Sequence, residues 1–501
     1  MNELRQKKFL PRESWGVLFC LLFTLYTAVI PFVRSFFLVE LSYNEGWNVY
    51  NVERVVNHQW LYPEAHGWTT NNYPALSFFV LATLHRWTHD YLFTARMLSL
   101  LSVLGCSVLT ALIVRRLTGA GRPALLAGLY CMALFCTKAN IYVGMDDPQM
   151  FAQVFFLAGL FVYVCNRRSY TAIGFASLLF VTGGCVKHNL IDFPLTVLID
   201  LCFLSRIRAL WFALCGLLFV GVAILLNIHF GGPYFLSQLL APRLYDLSRS
   251  FGMLVDVLGP ELLPIAAAVY MAIKVRNNPE LRIAAILLTT SLGLGTYFIG
   301  GHGVWINAYF SCFMATSILL GLFFDAIPAI EPRWTRGYLE KWAAPVLFFW
   351  LMIPLIMLGN VNPVVGLEES ASAQARFQQQ VALMRSQPGP EICESLLRCY
   401  FAGKPFLYDG FNTTRMIEFG KLKEDVIINR IRDGQYGAIQ LDGDMKREMK
   451  LERFTPGILA AIQQNYFVRM QDQDVVIFFP ISNRLPVPSG SAEQNLVGRI
   501  K

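Results

Sequence analysis

The sequence predicts a polytopic α-helical membrane protein of about eleven transmembrane helices, with further helices in the outer interface and a small C-terminal α/β domain. Three observations carry this expectation. Of 501 residues, 55% are hydrophobic and only 15% charged, whereas soluble domains carry roughly a quarter charged residues. Apolar runs near the spanning length of about 20 residues recur through the first two thirds of the chain. Arg and Lys gather in short turns between those runs, so the net charge of +8 reads as topology rather than nucleic-acid binding.

The elements follow in order. Trp15 to Phe37 forms a first span. Its run is too long for a signal peptide, and no small-residue cleavage site follows at Phe36-Phe37-Leu38-Val39-Glu40, so it reads as an uncleaved anchor. Further spans are expected at 91–114, 122–138, 148–165, 170–186, 190–205, 209–229, 261–275, 281–300, 304–325 and 342–359. The segment 73–88 is apolar but short. Arg5, Lys7, Lys8 and Arg12 place the N-terminus in the cytoplasm. Arg115-Arg116, Arg167-Arg168, Arg206/Arg208, Lys274/Arg276 and Arg333/Arg336/Lys341 share that side only if 73–88 does not cross. That segment is therefore expected in the outer interface, anchored by Trp87. Every acidic or polar cluster then falls outside, at 38–90, 139–147, 187–189, 230–260 and 300–303, and an odd number of spans carries the C-terminal part outside as well.

Residues 1–360 thus form a transmembrane domain with 38–90 as its first outer loop. After Pro363 the spanning runs stop. Phe406-Leu407-Tyr408, Gly437 to Leu441 and Asp474 to Phe479 read as strands between helices at 368–386, 413–433 and 456–465, which predicts an extracytoplasmic α/β domain over 361–485. Residues 486–501 read as a disordered tail. Of 11 cysteines, only Cys393 and Cys399 lie in this hydrophilic part, and they are expected to pair in an oxidising compartment. On one continuous helix they would be separated by about 9 Å of rise, beyond disulfide reach. The bridge therefore requires a bend between them.

Three polar clusters share the expected outer face. Asn44-Glu45 follows the first span among Trp47, Tyr50, Trp60, Tyr62, Trp68 and Tyr73, whose ring planes suit sugars and equally suit a membrane interface. A carboxylate at Glu45 can take the proton of an acceptor hydroxyl that attacks an anomeric carbon; a solvated loop acid is the plainer explanation. Asp146 and Asp147 precede Pro148, where Asp147 suits a helix cap and Asp146 has no such excuse. Either could bind a divalent ion or orient sugar hydroxyls, and the metal requirement is unknown from sequence. Lys187-His188-Asn189 offers a cation for a lipid-linked phosphate, or a lysine that snorkels to ordinary headgroups. Arg243 and Arg249 are second-choice phosphate partners. Gly300-Gly301-His302-Gly303 predicts a tight outer turn that brings His302 towards the site.

Leu41 to Asn48, Asn71 to Ser77, Arg96 to Leu101 and Lys187 to Leu190, taken in order, resemble the GT-C glycosyltransferases, in particular bacterial relatives of protein O-mannosyltransferases and the lipid A aminoarabinose transferase. The resemblance implies inverting transfer of a sugar from a polyprenyl-phosphate donor to a hydroxyl of a lipid, glycan or protein acceptor. It places this reaction on the outer side of the bacterial cytoplasmic (inner) membrane. The usual first-loop pair is Asp-Glu, with the aspartate as base. Here Asn44 holds that position and cannot take a proton, so the role falls to Glu45, Asp146 or Asp147. Lys187 and Arg243 would meet the donor phosphate, with Asn44, Tyr73, His188, Asn189 and His302 contacting substrate. A non-enzymatic transporter or flippase of lipid-linked sugars, or an assembly subunit, is the alternative. The span centres at 91–114, 122–138 and 148–165 are nearly free of ionisable groups, which disfavours a midplane transport site.

Overall fold

Long apolar runs must satisfy their own backbone N–H and C=O groups in lipid, and helices do this within one segment. The computed structural model describes residues 14–330, 337–357, 362–443, 453–472 and 474–481. The N-terminal cations, Arg333, Arg336 and the expected tail lie outside these residues. Two compact units emerge, one of residues up to 378 without Gly67–Thr69, the other of Gly67–Thr69 and the chain from Gln379.

The first unit is helical. It runs through α1 (Ser14–Arg34), α2 (Asn44–Val56), α3 (Leu76–Thr88), α4 (Tyr91–Thr118), α5 (Gly121–Lys138), α6 (Gln149–Cys165), α7 (Tyr170–Val186), α8 (Asp192–Leu204) and α9 (Arg206–Leu226). It continues with α10 (Phe235–Leu239), α11 (Leu247–Leu258), α12 (Leu262–Val275), α13 (Arg282–Ile299), α14 (Phe310–Ile330), α15 (Tyr338–Trp350), α16 (Met352–Met357) and α17 (Pro363–Arg385). Over its described residues, each expected span overlaps helix, the last one divided between α15 and α16. Seven stretches are long and apolar enough to cross a membrane among the described residues, and α6 and α7 are shorter apolar helices. The chain is a multi-pass membrane protein. At 13 residues α3 reaches about 20 Å, short of the roughly 30 Å hydrocarbon thickness.

One expectation fails here. Residues 230–260 are not an open loop: Asp246 accepts from the Ser248 N–H and starts α11, which continues through a short turn at Gly259–Glu261 into α12. Arg249 and Asp256 interrupt the hydrophobic run and hid this helix from the sequence reading.

The core of the unit lies where α4, α5, α6 and α14 meet, around Val103, Tyr130, Phe135, Phe156 and Phe310. A buried polar staple also ties α6, α8 and α13 together. Asp200 accepts from Arg282 Nε at 2.7 Å and from the Tyr163 hydroxyl at 2.7 Å, with Arg167 3.6 Å away. Of these two arginines, Arg167 belongs to a turn that the charge pattern assigned to one side of the membrane, and Arg282 opens α13.

The second unit is a four-stranded sheet of β1 (Glu391–Cys393), β2 (Ala438–Asp442), β3 (Tyr466–Gln471) and β4 (Val475–Pro480), in the order β1-β2-β4-β3. Only β1 and β2 run parallel; Ile392 faces Ile439, which faces Phe478 across the antiparallel pair. Among the described residues, four helices accompany it: α18 (Leu396–Phe401), α19 (Gly410–Glu418), α20 (Asp425–Arg432) and α21 (Pro456–Asn465). Ile427, Ile431, Ile458 and Ile462 cover the sheet. Phe406-Leu407-Tyr408 is not a strand. Tyr408 instead stacks between Phe454, at 5.2 Å, and Trp68, at 6.4 Å. Trp68, half-buried, thereby packs against the core of this unit. The expected helix 413–433 is divided, because Gly420 adopts a left-handed φ of 65° and the Lys421 N–H closes back on the Met416 carbonyl. Cys393 and Cys399 form a disulfide with Cα atoms 5.9 Å apart. The required bend is the passage from β1 into α18 through Glu394 and Ser395.

Candidate active site

The segment after the first span forms helix α2 rather than a loop, and this orders its polar residues. Asn44 and Asn48, four residues apart, share a face. Asn44 Nδ2 donates to Asp147 Oδ2 at 3.3 Å, and Asn48 Nδ2 donates to the Asp146 carbonyl at 2.6 Å. Opposite them, the turn before α6 delivers both aspartates. Gly144 makes that turn with φ of 74°, and a Cβ there would lie 1.8 Å from Ser35 Oγ. Asp147 Oδ1 accepts from the Gln149 N–H at 2.8 Å, so the expected capping contact forms.

Glu45 is fully buried and heavily engaged. Arg96, from the first turns of α4, donates Nε to Oε1 at 2.8 Å and Nη2 to Oε2 at 2.7 Å. The Leu41 N–H reaches Oε2 at 2.8 Å, and the Asp146 N–H reaches Oε1 at 3.1 Å. Arg96 also donates to the carbonyls of Ser35, Phe37 and Val39. One ion pair therefore holds the chain leaving α1, the start of α2 and the aspartate turn together.

Asp146 has its backbone fixed on both sides, yet its side-chain Oδ2 is buried without a hydrogen-bond partner. It lines a small cleft with Asn48, Ser77, Asp147 and Phe151. Asn48 Oδ1 and Ser77 Oγ are also buried and unsatisfied. Buried polar atoms are nearly always paired in native proteins, so three orphans in one cleft mark a place for a ligand or water. Burial, with the charges of Glu45 and Asp147, pushes the Asp146 carboxyl well above its ordinary range, against the opposing pull of Arg96.

Lys187, at the end of α7, is buried 3.8 Å from Asp147 Oδ1 and 3.8 Å above the Tyr73 ring. Burial lowers its pKa from 10.5 to about 8; Asp147 opposes this and Arg243 adds to it. Burial, then Arg243 and Lys187, bring His188 down to about 3. The exposed Arg243 is thus within electrostatic reach of both. The Tyr73 segment is pinned from below. The Asn71 N–H donates to Gln238 Oε1, the Ala75 N–H to Asn227 Oδ1, and the Tyr62 hydroxyl to the Tyr73 carbonyl. The Tyr73 ring meets Trp47 edge-on at 5.0 Å. Asn189 Oδ1 and His188 Nδ1 are buried without partners.

No family model and no curated protein matches the sequence. Solved structures do match. The crystal structure of ArnT from Cupriavidus metallidurans bound to undecaprenyl phosphate aligns with a TM-score of 0.57 and 14% identity, over 93% of this chain and 98% of that one. Its apo form gives 0.56 and 13%, over 93% and 97%. The apo oligosaccharyltransferase of Archaeoglobus fulgidus gives 0.54 and 10%, over 95% of this chain and 75% of that one. The chain shares its fold with ArnT and with the archaeal oligosaccharyltransferase.

The structure brings Asn44, Glu45, Tyr73, Asp146, Asp147 and Lys187 into one connected cluster, with Arg243 and His188 beside it. His302 lies in the turn after α13, where its backbone N–H donates to the carbonyl of Leu244, the neighbour of Arg243, at 3.0 Å. Among the described residues no three His, Cys, Asp or Glu side chains gather to hold a metal ion. A divalent ion would find the two aspartates, since Arg96 occupies Glu45. The sequence reading did not single out Asn48, Ser77 or the clamping role of Arg96. The signal for Arg96 was present, as a lone cation near the start of an apolar helix.

Proposed function

We propose that this protein transfers a sugar from a polyprenyl-phosphate donor to an acceptor hydroxyl, with inversion, on the outer side of the cytoplasmic membrane. The observation that carries the reading is the juxtaposition of a buried lysine with a buried aspartate pair, one aspartate oxygen being unsatisfied. A phosphate leaving group needs fixed positive charge in a water-poor site, and an attacking hydroxyl needs a carboxylate of raised pKa to accept its proton. The undecaprenyl phosphate in the ArnT structure supports a donor of that class.

Asp146 is the proton acceptor in this proposal. Its Oδ2 has no hydrogen-bond partner, and its raised pKa increases its proton affinity. Glu45, favoured from sequence, suits the task less well, because four donors already occupy its oxygens. It serves as a positioning residue that fixes the Asp146 amide and neutralises Arg96. Lys187 faces the donor phosphate with Arg243 behind it, while Asp147 and the Tyr73 face hold the lysine in place. Asn44, at the position of the usual aspartate, orients Asp147 through its amide. His188, neutral at physiological pH, and Asn189 present polar atoms to substrate.

The test is incubation of purified protein with a panel of polyprenyl-phosphate sugars and quantification of released polyprenyl phosphate. Release that depends on acceptor and is lost in Asp146→Asn supports the proposal. Absence of release with every donor, from folded protein, would leave the transporter or assembly-subunit reading as the better one.

A further inference from the structure

Far from the reaction cluster, a groove of about 450 Å³ opens between the first turns of α1 and α15. Its walls are Trp15, Phe19, Trp342, Val346 and Phe349, with Lys341 at the mouth. The two helices begin at the same end of the unit. A Cβ on Gly16 would lie 3.3 Å from the Lys341 carbonyl and 3.7 Å from the Pro345 ring, so this glycine is the groove floor. The size lies within the roughly 300–1,000 Å³ range of small-molecule sites.

Its chemistry is that of a lipid headgroup region. Trp15 and Trp342 are 71% and 52% exposed, and exposed indoles belong at the headgroup level of a bilayer. Lys341 rests 5.2 Å from the Trp342 ring centre. Among the described residues no carboxylate pairs with it; the adjacent Glu340 is taken by Arg122 at 3.2 Å. Among the described residues the mouth thus carries a cation without a carboxylate partner, and the walls below it are mainly apolar. The other end of α1 reaches the reaction side, since Arg34 donates to the Asn140 carbonyl in the segment that leads to Asp146. With 21 residues, α1 is about 30 Å long. The groove therefore sits a full bilayer core away from the proposed donor phosphate site, in the opposite leaflet.

We propose that this groove holds an acyl chain of an anionic phospholipid, with its phosphate on Lys341 and its chain against Phe19, Val346 and Phe349. Charge complementarity selects the headgroup, and the indole pair sets its depth. The occupant is a structural lipid of the opposite leaflet and not the sugar donor.

The experiment is native mass spectrometry of the full-length protein in detergent, titrated with phosphatidylglycerol, phosphatidylcholine or undecaprenyl phosphate. The wild type should retain one phosphatidylglycerol in preference to phosphatidylcholine. Lys341→Gln should reduce that preference about fivefold, the effect of one basic residue near an anionic surface. Val346→Trp fills the groove from its exposed side, away from the α1–α15 contact, and should abolish retention of the bound lipid while gel filtration remains unchanged. Equal retention of both phospholipids, indifference to both substitutions, or preferential retention of undecaprenyl phosphate that Val346→Trp removes would overturn the proposal. Since neither residue touches the reaction cluster, failure here is separable from failure of the transferase reading.

Discussion

The two carboxylates at the centre of the site should respond differently in stability when each is made neutral. Glu45→Gln leaves the Arg96 guanidinium buried without its counter-charge, and Arg96 is only 2% exposed. Breaking one partner out of a buried ion pair typically costs about 3–5 kcal/mol. Three backbone carbonyls continue to solvate Arg96, which argues for the lower end, about 3 kcal/mol. The loss should appear as a melting temperature lowered by several degrees in detergent, with impaired transfer as its consequence. Asp146→Asn keeps size and backbone contacts, and replaces a group already pushed towards its neutral form by burial. Its melting curve should overlay the wild type while transfer falls about 10²- to 10⁴-fold, the usual cost of losing a general base. Both variants are assayed side by side by thermal unfolding and by release of polyprenyl phosphate. An unshifted melting curve with abolished transfer in Glu45→Gln, together with near-normal transfer in Asp146→Asn, would refute the assignment and return the base to Glu45.

The pH profile of kcat/KM should be bell-shaped. Lys187 is cationic below about pH 8, so donor attraction is present there and fades as pH rises through that value. Asp146 must be ionised to accept a proton, so the rate falls as pH drops through its raised pKa. Lys187→Gln should weaken donor binding and flatten the alkaline limb, and a limb unchanged by that substitution counts against the role of Lys187. Gly144→Ala combines a left-handed φ with a Cβ 1.8 Å from Ser35 Oγ, so folded yield and transfer should collapse. Adding Ser35→Gly should recover most of the yield, leaving about 1–2 kcal/mol of backbone strain. Removal of the Cys393–Cys399 bridge, which closes a short loop, should destabilise the second unit by about 2 kcal/mol. Free thiols in non-reduced peptides would show that the bridge does not form in the cell. Single-cysteine labels at Asp90 and Ser386, in a background without reactive native cysteines, should both react from the outer side. Cytoplasm-only labelling at Asp90 would show that 73–88 crosses.

Much of the architecture was legible in the chain itself. Hydrophobic run length is a local property, and it marked a helix at each expected span and the end of spanning segments near Pro363. Charge asymmetry is equally local; it is the ground for expecting that 73–88 does not cross, and the 13 residues of α3 accord with that. The disulfide partners followed from their place as the two cysteines of the hydrophilic part, and the need for a bend between them from helix rise. What sequence separation concealed was decided by packing. Glu45 and Arg96 lie 51 positions apart, and only the folding of α2 against α4 turns a solvated-looking acid into one arm of a clamp. Trp68 sits in the aromatic first loop, but stacking on Tyr408 packs it against the core of the other unit. Lys187 could have snorkelled to headgroups; the Tyr73 segment covers it and leaves Asp147 as its counter-ion. Composition and periodicity report what each segment can bury by itself. The protonation, engagement and openness of a carboxylate depend on which distant donors surround it, and that is a property of the tertiary structure alone.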